Sequence, residues 1–395
     1  MEIFKAANQW STRPADERFE TLADLEAACR AYKASAREKS VVVSDLRAEA
    51  IDGDVRLVGR AGVPARISHW AFGQLATKAG APASYLRELP ATLAVQNLNH
   101  GLKALAGSNG DANASLLFHQ NGDLLLRAAT SERYDRIWNA DLATRARELA
   151  ERDGWQVPPA RPAPVEGIKT RKATAADVLR QSAKSARAGG LVIKEGDEIA
   201  PAGLYASDHD LFVFLVDEQH GVDDGTGHEL SRGMMIWNSE VGASSLGGMF
   251  FLYDAICGNH IVWGATNVSD FKIRHVGDAN SRAFGKLALE ARRYANQSGD
   301  ETSARIVAAR RRELGATKEE ALDAIFGLLA KRRIPITGKQ IEAAYQIAEN
   351  TPRYGSPRTA WAMANGLTEL SQKTPFAGER VKLDRAAGKL LEATF

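Results

Sequence analysis

Between Leu204 and Val276 the chain reads as a succession of strand-like apolar segments: LYAS, LFVFLVD, RGMMIWNSEV, GMFFLYDAIC, NHIVWG and FKIRHV. Parallel strands need long crossovers, so consecutive segments with short connections pair as an antiparallel meander. A second strand signal lies at Ser115–Arg127, where SLLF and LLLR flank His119-Gln120-Asn121-Gly122-Asp123. Asn and Gly both tolerate the positive φ of a tight hairpin. Val41–Val43 and Val55–Val58 read as further short strands separated by the Asp52-Gly53 turn.

Helical spacing of apolar residues predicts helices over Leu22–Ser40, His69–Ala79, a short stretch after Pro82, Ala91–Leu105, Trp138–Arg152 and Asp278–Asn296. From there to the end the pattern is helical. Its apolar stripes are Leu322, Ile325, Phe326 and Leu329; then Ile341, Ala344, Tyr345 and Ala348; then Leu383, Ala386, Ala387, Leu390 and Leu391. Gln156–Gly167, QVPPARPAPVEG, is expected to be an exposed extended loop, because its prolines supply no backbone donors. The expected class is α+β: an antiparallel sheet of hairpin plus meander, covered by helices, with a helical C-terminal region. Residues 1–155 form the N-terminal part, 156–175 a Pro-rich and basic loop, 176–298 the meander with its helix, and 299–395 the helical end.

Charge bounds the function classes. The net charge is only +2 over 395 residues, so no global field attracts polyanions and any basic surface must be local. Lys169–Lys172, Arg310–Arg312 and Lys331–Arg333 are compact basic clusters, whereas residues 201–260 are strongly acidic. Two cysteines, Cys29 and Cys257, exclude a cysteine-based zinc site and suit a reducing cytoplasm. The N-terminus lacks the apolar run of a signal peptide, and no window nears the roughly 20 apolar residues that cross a bilayer. A bacterial cytoplasmic location is therefore expected. GxxxxGK[ST] and GxSxG are both missing, so ATP-driven motor chemistry and a nucleophile-elbow hydrolase are unsupported.

Several constellations carry candidate binding chemistry. Arg133-Tyr134-Asp135-Arg136 follows the hairpin; an arginine fork binds phosphate and a tyrosine face stacks on bases, although the same residues also suit a strand-to-helix turn. In FKIRHV, alternation puts Lys272 and Arg274 on one face, and Phe271, Ile273 and His275 on the other. Lys169, Arg171 and Lys172 form a cationic arm able to track a phosphate backbone. Asn238, Ser239 and Asn259 sit at strand ends, where they bind a ligand or close a turn through side-chain hydrogen bonds. Asp208, Asp210 and Glu240 are the carboxylates of a rival metal-dependent reading, in which Asp208 and Asp210 share a strand face. No catalytic residue, metal site or cofactor is expected.

The stretch Arg232–Gly264, with HWAFGQLATKAGAPASYLRELPATLAVQNLN, SERYDRIWNADL and RTAWAMANGLTEL in the same order, resembles a prokaryotic family of phage- and plasmid-borne proteins known as domain of unknown function 932. This chain has Cys257-Gly258-Asn259-His260 where the family commonly has Cys-x-Asn-Gly. The order of hairpin, helix, meander and helix is loosely similar to single-strand annealing proteins of the RecT, Redβ and Rad type. That resemblance implies ATP-independent binding or annealing of single-stranded DNA by a homo-oligomer, as in recombination. Two alternatives stand beside it: the metal-dependent nucleic-acid enzyme, and a protein that binds a host factor through its helical C-terminal third.

Overall fold

The connection between the first two strands sets the shape of the N-terminal part. β1 (Ala36–Val42) and β2 (Arg47–Ile51) are joined only by Val43–Leu46, yet they are the opposite edges of a six-stranded sheet ordered β1-β5-β6-β4-β3-β2. Chain from Val42 to Arg47 reaches at most about 18 Å. A flat sheet would separate its edge strands by about 24 Å. The sheet therefore curls. Its remaining strands are β3 (Asp54–Val58), β4 (Pro64–Ile67), β5 (Asn113–Asn121) and β6 (Asp123–Thr130), with β4 and β6 parallel. This computed structural model describes residues 17–59, 62–105, 113–158, 161–162, 171–179, 194–200, 203–253, 260–261, 271–334, 336–373 and 377–392.

Both predicted turns form. Asp52 and Gly53 take positive φ (52° and 81°) between β2 and β3, and Gly122 does so (80°) at the β5–β6 hairpin. The first helix, α1 (Leu22–Ser35), ends five residues before the predicted Ser40. Ala36–Val42 instead pairs residue for residue with β5. Ladder formation outweighs the helical propensity of Ala-Arg-Glu-Lys, and the exposed charges of Arg37, Glu38 and Lys39 suit an edge strand.

Three helices follow β4: α2 (His69–Lys78), α3 (Ala83–Glu88) and α4 (Ala91–Ala104). Ser68 caps α2 by accepting from the Ala71 N–H. Ala71, Leu75 and Leu102 pack on Leu116, Leu126 and Ala129. At the β2 edge the side chain of Asn99 replaces a neighbouring strand. Its Oδ1 accepts from the Ala48 N–H at 2.7 Å, and its Nδ2 donates to the Ala48 carbonyl at 2.9 Å.

The meander forms as predicted, in sequence order: β11 (Leu204–Ala206), β12 (Leu211–Asp223), β13 (Glu229–Asn238), β14 (Leu246–Tyr253) and β15 (His260–Ile261). β16 (Phe271–Ile273) also pairs with β14. Hairpin and meander thus belong to two different sheets of one α+β molecule. Helices α5 (Asn139–Asp153) and α6 (Ala279–Ala295) bury Leu142, Ala146, Ala283 and Leu287 against Val213, Leu215, Ile236 and Phe250.

The described part of the Pro-rich segment is strand-paired rather than free. Trp155–Gln156 (β7) pairs with β12, and Arg161–Pro162 (β8) joins β9 (Arg171–Lys172) and β10 (Glu198–Ala200) in a three-stranded sheet. Buried Trp155 supplies the apolar anchor there.

Beyond α6 the chain is helical, as predicted: α7 (Gly299–Arg311), α8 (Lys318–Lys331), α9 (Gly338–Glu349), α10 (Ala360–Lys373) and α11 (Ala377–Glu392). Their stripes pack on one another and on Val222, Leu230 and Leu252 of the meander. Gly366 lets α10 approach α9 closely, since a Cβ there would lie 2.2 Å from the Ala344 carbonyl oxygen.

Candidate functional site

The two large sheets meet through polar side chains, and Glu240 is the centre of that junction. It follows β13, is 1% exposed, and accepts from Arg127 Nη1 at 3.1 Å and from the Asn139 N–H at 2.7 Å. Arg127, also 1% exposed, lies on β6 of the other sheet and donates through Nε to the Asp208 carbonyl at 3.0 Å. A β-bulge between Leu117 and Phe118 shifts the register beside Arg127. The Arg127 guanidinium also lies 5.3 Å from the Tyr32 ring centroid.

The turn after Glu240 completes the contact. Trp70 Nε1 and Gln74 Nε2, both on α2, donate to the Val241 carbonyl at 2.9 and 2.7 Å. Asn238 is fully buried, and its Nδ2 donates to the Ile137 carbonyl and to Asn139 Oδ1, each at 2.8 Å. The Ser239 hydroxyl donates to the His209 carbonyl at 2.6 Å and accepts from the N–H groups of Val241 and Ala243. Of the two roles open in the sequence, the described bonds of Ser239 serve the turn, whereas those of Asn238 tie the strand end to the Ile137–Asn139 segment.

The Arg-Tyr segment divides between interior and surface. Arg136 is 5% exposed and bonds the Glu38 carboxylate and the Glu240 carbonyl. Tyr134 donates to the Ser239 carbonyl at 2.7 Å, and its ring stacks on His275 at 4.8 Å with planes 6° apart. Burial pushes the Tyr134 phenol well above its ordinary pKa. Burial likewise lowers the His275 imidazole to about 4; the Asp135 backbone bond opposes that shift, and nearby Arg136 reinforces it. Arg133 alone of the segment's cations is exposed.

The alternation in FKIRHV is realised: Lys272 and Arg274 are exposed, while Phe271, Ile273 and His275 are buried. Phe271 and Ile273 pack toward α6, so the two cations lie on the face away from it. A bridge between Tyr134 and Val276 brings the Arg133 segment alongside this strand. Arg282 joins them, donating through Nη2 to the Val276 carbonyl at 2.6 Å while remaining exposed.

Nearby acidic groups have partners of their own. Asp135 Oδ2 accepts from the Ala279 N–H at the start of α6, and Glu132 accepts from the Ser40 hydroxyl and Asn113 Nδ2. Those two bonds hold the Glu132 carboxyl below its usual range. Asp278, at the α6 N-cap, is the exposed opposing charge.

Sequence reasoning missed Arg282 and the row it begins. Arg282, Lys286 and Arg293 recur along the exposed side of α6, with Arg293 held 3.5 Å from Glu290. Their four- and seven-residue spacing, which keeps one helix face, was the available signal.

Other predicted cations are differently placed. Arg171 forms a two-pronged pair with Asp177 at 2.7 and 2.8 Å and lies 3.1 Å from Glu20. That pair drives the Asp177 carboxyl far below its ordinary pKa. Lys172 is exposed beside it, while Lys169 and Asn259 lie outside the described residues. Arg310 bonds Asp224 and sits over the Trp361 ring.

The carboxylate reading is corrected in one respect. Asp208-His209-Asp210 forms a turn between β11 and β12 rather than a strand, with Ser207 donating to Asp210 and His209 Nδ1 lying 2.7 Å from Asp208 Oδ1. The Asp and Ser side chains bond the tight connection locally, which overrides a common strand face. Among the described residues, no group of three or more His, Cys, Asp or Glu side chains is placed to hold a metal ion. No described helix is long and apolar enough to cross a membrane.

A family model matches residues 178–389, just over half of the chain, and it is the one described as domain of unknown function 932. The chain belongs to this family. The match takes in the meander, β16, α6 and nearly all of the helical end, whereas Arg133–Arg136 and the curled sheet precede it. No curated protein and no solved structure matches the chain.

Proposed function

We propose that this member of the family binds single-stranded nucleic acid, most readily DNA, without ATP. The supporting observation is that the Tyr134–Val276 bridge joins two segments that carry exposed cations, Arg133 on one and Lys272 and Arg274 on the other, with exposed Arg282 bonded to the Val276 carbonyl. Phosphate binding depends on local cation density rather than net charge, and each contact releases counterions. Asp135 and Glu132 take their described bonds from the Ala279 N–H, Ser40 and Asn113 rather than from these cations, and exposed Asp278 is the opposing charge with which a phosphate backbone would compete. Tyr134 and Arg136 act in this reading as the buried support of the surface rather than as its contacts. Lys172 is exposed on the separate small sheet, and Arg171 beside it is largely neutralised by its acidic partners.

The rival metal-dependent reading draws less support, because Glu240 is committed to Arg127 and Asn139. The host-factor reading placed binding on the helical C-terminal third, most of whose apolar stripe residues pack in the internal core, with Phe326 left 47% exposed. Annealing through a homo-oligomer remains the working extension of the binding proposal.

Anisotropy of a labelled oligothymidine tests the binding. Affinity should fall several-fold or more between about 50 and 200 mM salt, with the slope reporting the number of phosphates contacted. The triple variant Arg133→Gln/Lys272→Gln/Arg274→Gln should weaken binding and flatten that slope. Unchanged anisotropy of the oligomer at low salt, or a variant that binds like the parent, overturns the proposal.

A further inference from the structure

The curl of the first sheet creates a cavity of about 550 Å³. Its lining comes from strands and their connections alone. This volume lies within the usual range of small-molecule sites, and the mouth of a closed or nearly closed sheet is a common place for one. The floor is apolar: Leu57, Leu116, Phe118 and Leu124 face the space, with Val63 at the mouth and 58% exposed.

Cations stand at one side of that floor. Arg37 pairs across from Phe118 and Lys39 across from Leu116, so both basic side chains share the apolar face. Glu38, between them, belongs to the other face and is taken by Arg136. Arg37 spends Nη1 on the Ala34 and Ala36 carbonyls, which holds the guanidinium near the rim. The lining carboxylate Asp45 comes after β1, six residues beyond Lys39.

An apolar floor with paired cations along one edge fits a ligand with a hydrocarbon body and an anionic head. A nucleobase fits less well, because base edges require hydrogen-bonding partners that the four floor side chains do not have. We propose that the curled sheet is a binding site for a small amphipathic anion of the fatty-acid class. The carboxylate would meet Arg37 and Lys39, and the acyl chain would lie on Leu57, Leu116, Phe118 and Leu124. This proposal is independent of the nucleic-acid reading, since the cavity uses none of the residues invoked there.

Calorimetric titration of the full chain with sub-micellar sodium decanoate, decanol, decyltrimethylammonium and deoxyadenosine monophosphate distinguishes the alternatives. Decanoate should bind saturably at one site, decanol roughly tenfold more weakly, and the cationic amphiphile not at all. Arg37→Gln/Lys39→Gln, two exposed edge-strand positions, should abolish the preference for decanoate over decanol. Leu124→Trp should obstruct the apolar floor and weaken both, with the melting temperature of each variant checked against the parent. Binding of the nucleotide in preference to decanoate, equal binding of all amphiphiles, or no binding by any of them overturns the assignment.

Discussion

Glu240→Gln isolates what holds the two sheets together. The substitution keeps the side chain's shape and an oxygen for the Asn139 N–H, but it leaves Arg127 charged at 1% exposure with no counter-ion. Arginine cannot escape by losing its proton. Breaking a buried pair from one side therefore costs about 3–5 kcal/mol, a large share of a typical folding free energy. Arg127→Met strands the other partner, a buried carboxylate that keeps only the Asn139 N–H among its described side-chain bonds.

Both single variants should be strongly destabilised. Arg127→Met/Glu240→Gln, with neither charge present, should cost less than the sum of the single changes by about 2 kcal/mol or more. Urea unfolding followed by tryptophan fluorescence supplies all four corners of this cycle. A cost below about 1 kcal/mol for Glu240→Gln, or strict additivity in the cycle, would refute the claim that the junction depends on this ion pair.

Two further outcomes can be measured on the same protein. His275 is held at about 4 by burial, below its ordinary 6.5, so its contribution is fully present above pH 6.5 and is lost as pH falls toward 4. The shift corresponds to roughly 3 kcal/mol. His275→Phe should keep the stack on Tyr134 and flatten stability over that window; an unchanged slope would show that another group titrates. Asn99→Ala removes both bonds to the Ala48 backbone at the β2 edge and should cost about 1–3 kcal/mol, with faster hydrogen exchange at the Ala48 amide. Parental exchange at that amide would show that the edge is satisfied without Asn99.

The family match lends weight to reading the meander and helical end as the shared unit, and it leaves the curled sheet as the part this chain sets before it. Both candidate binding surfaces touch that preceding part. Arg133 reaches the matched region through the Tyr134–Val276 bridge, while the cavity lies wholly outside it. Both proposals therefore place binding partly outside the matched stretch.

Local chemistry made much of the molecule readable from the sequence alone. Asp52-Gly53 and Asn121-Gly122 set two hairpins because their backbone energetics are local, and the spacing of Leu383, Ala386 and Leu390 declared a buried helix face. Alternation in FKIRHV put Lys272 and Arg274 outside for the same reason. Three things were decided only by tertiary structure. Ala36–Val42 became a strand because β5 offered it a ladder. Arg136 and Glu240 went inside because each found partners far away in the chain, Glu38 and the Glu240 carbonyl for the one and Arg127 for the other, and isolated charges have no way to signal that in sequence. The cavity exists because strands adjacent in the chain became opposite edges of one sheet, and a four-residue link could join them only by bending it.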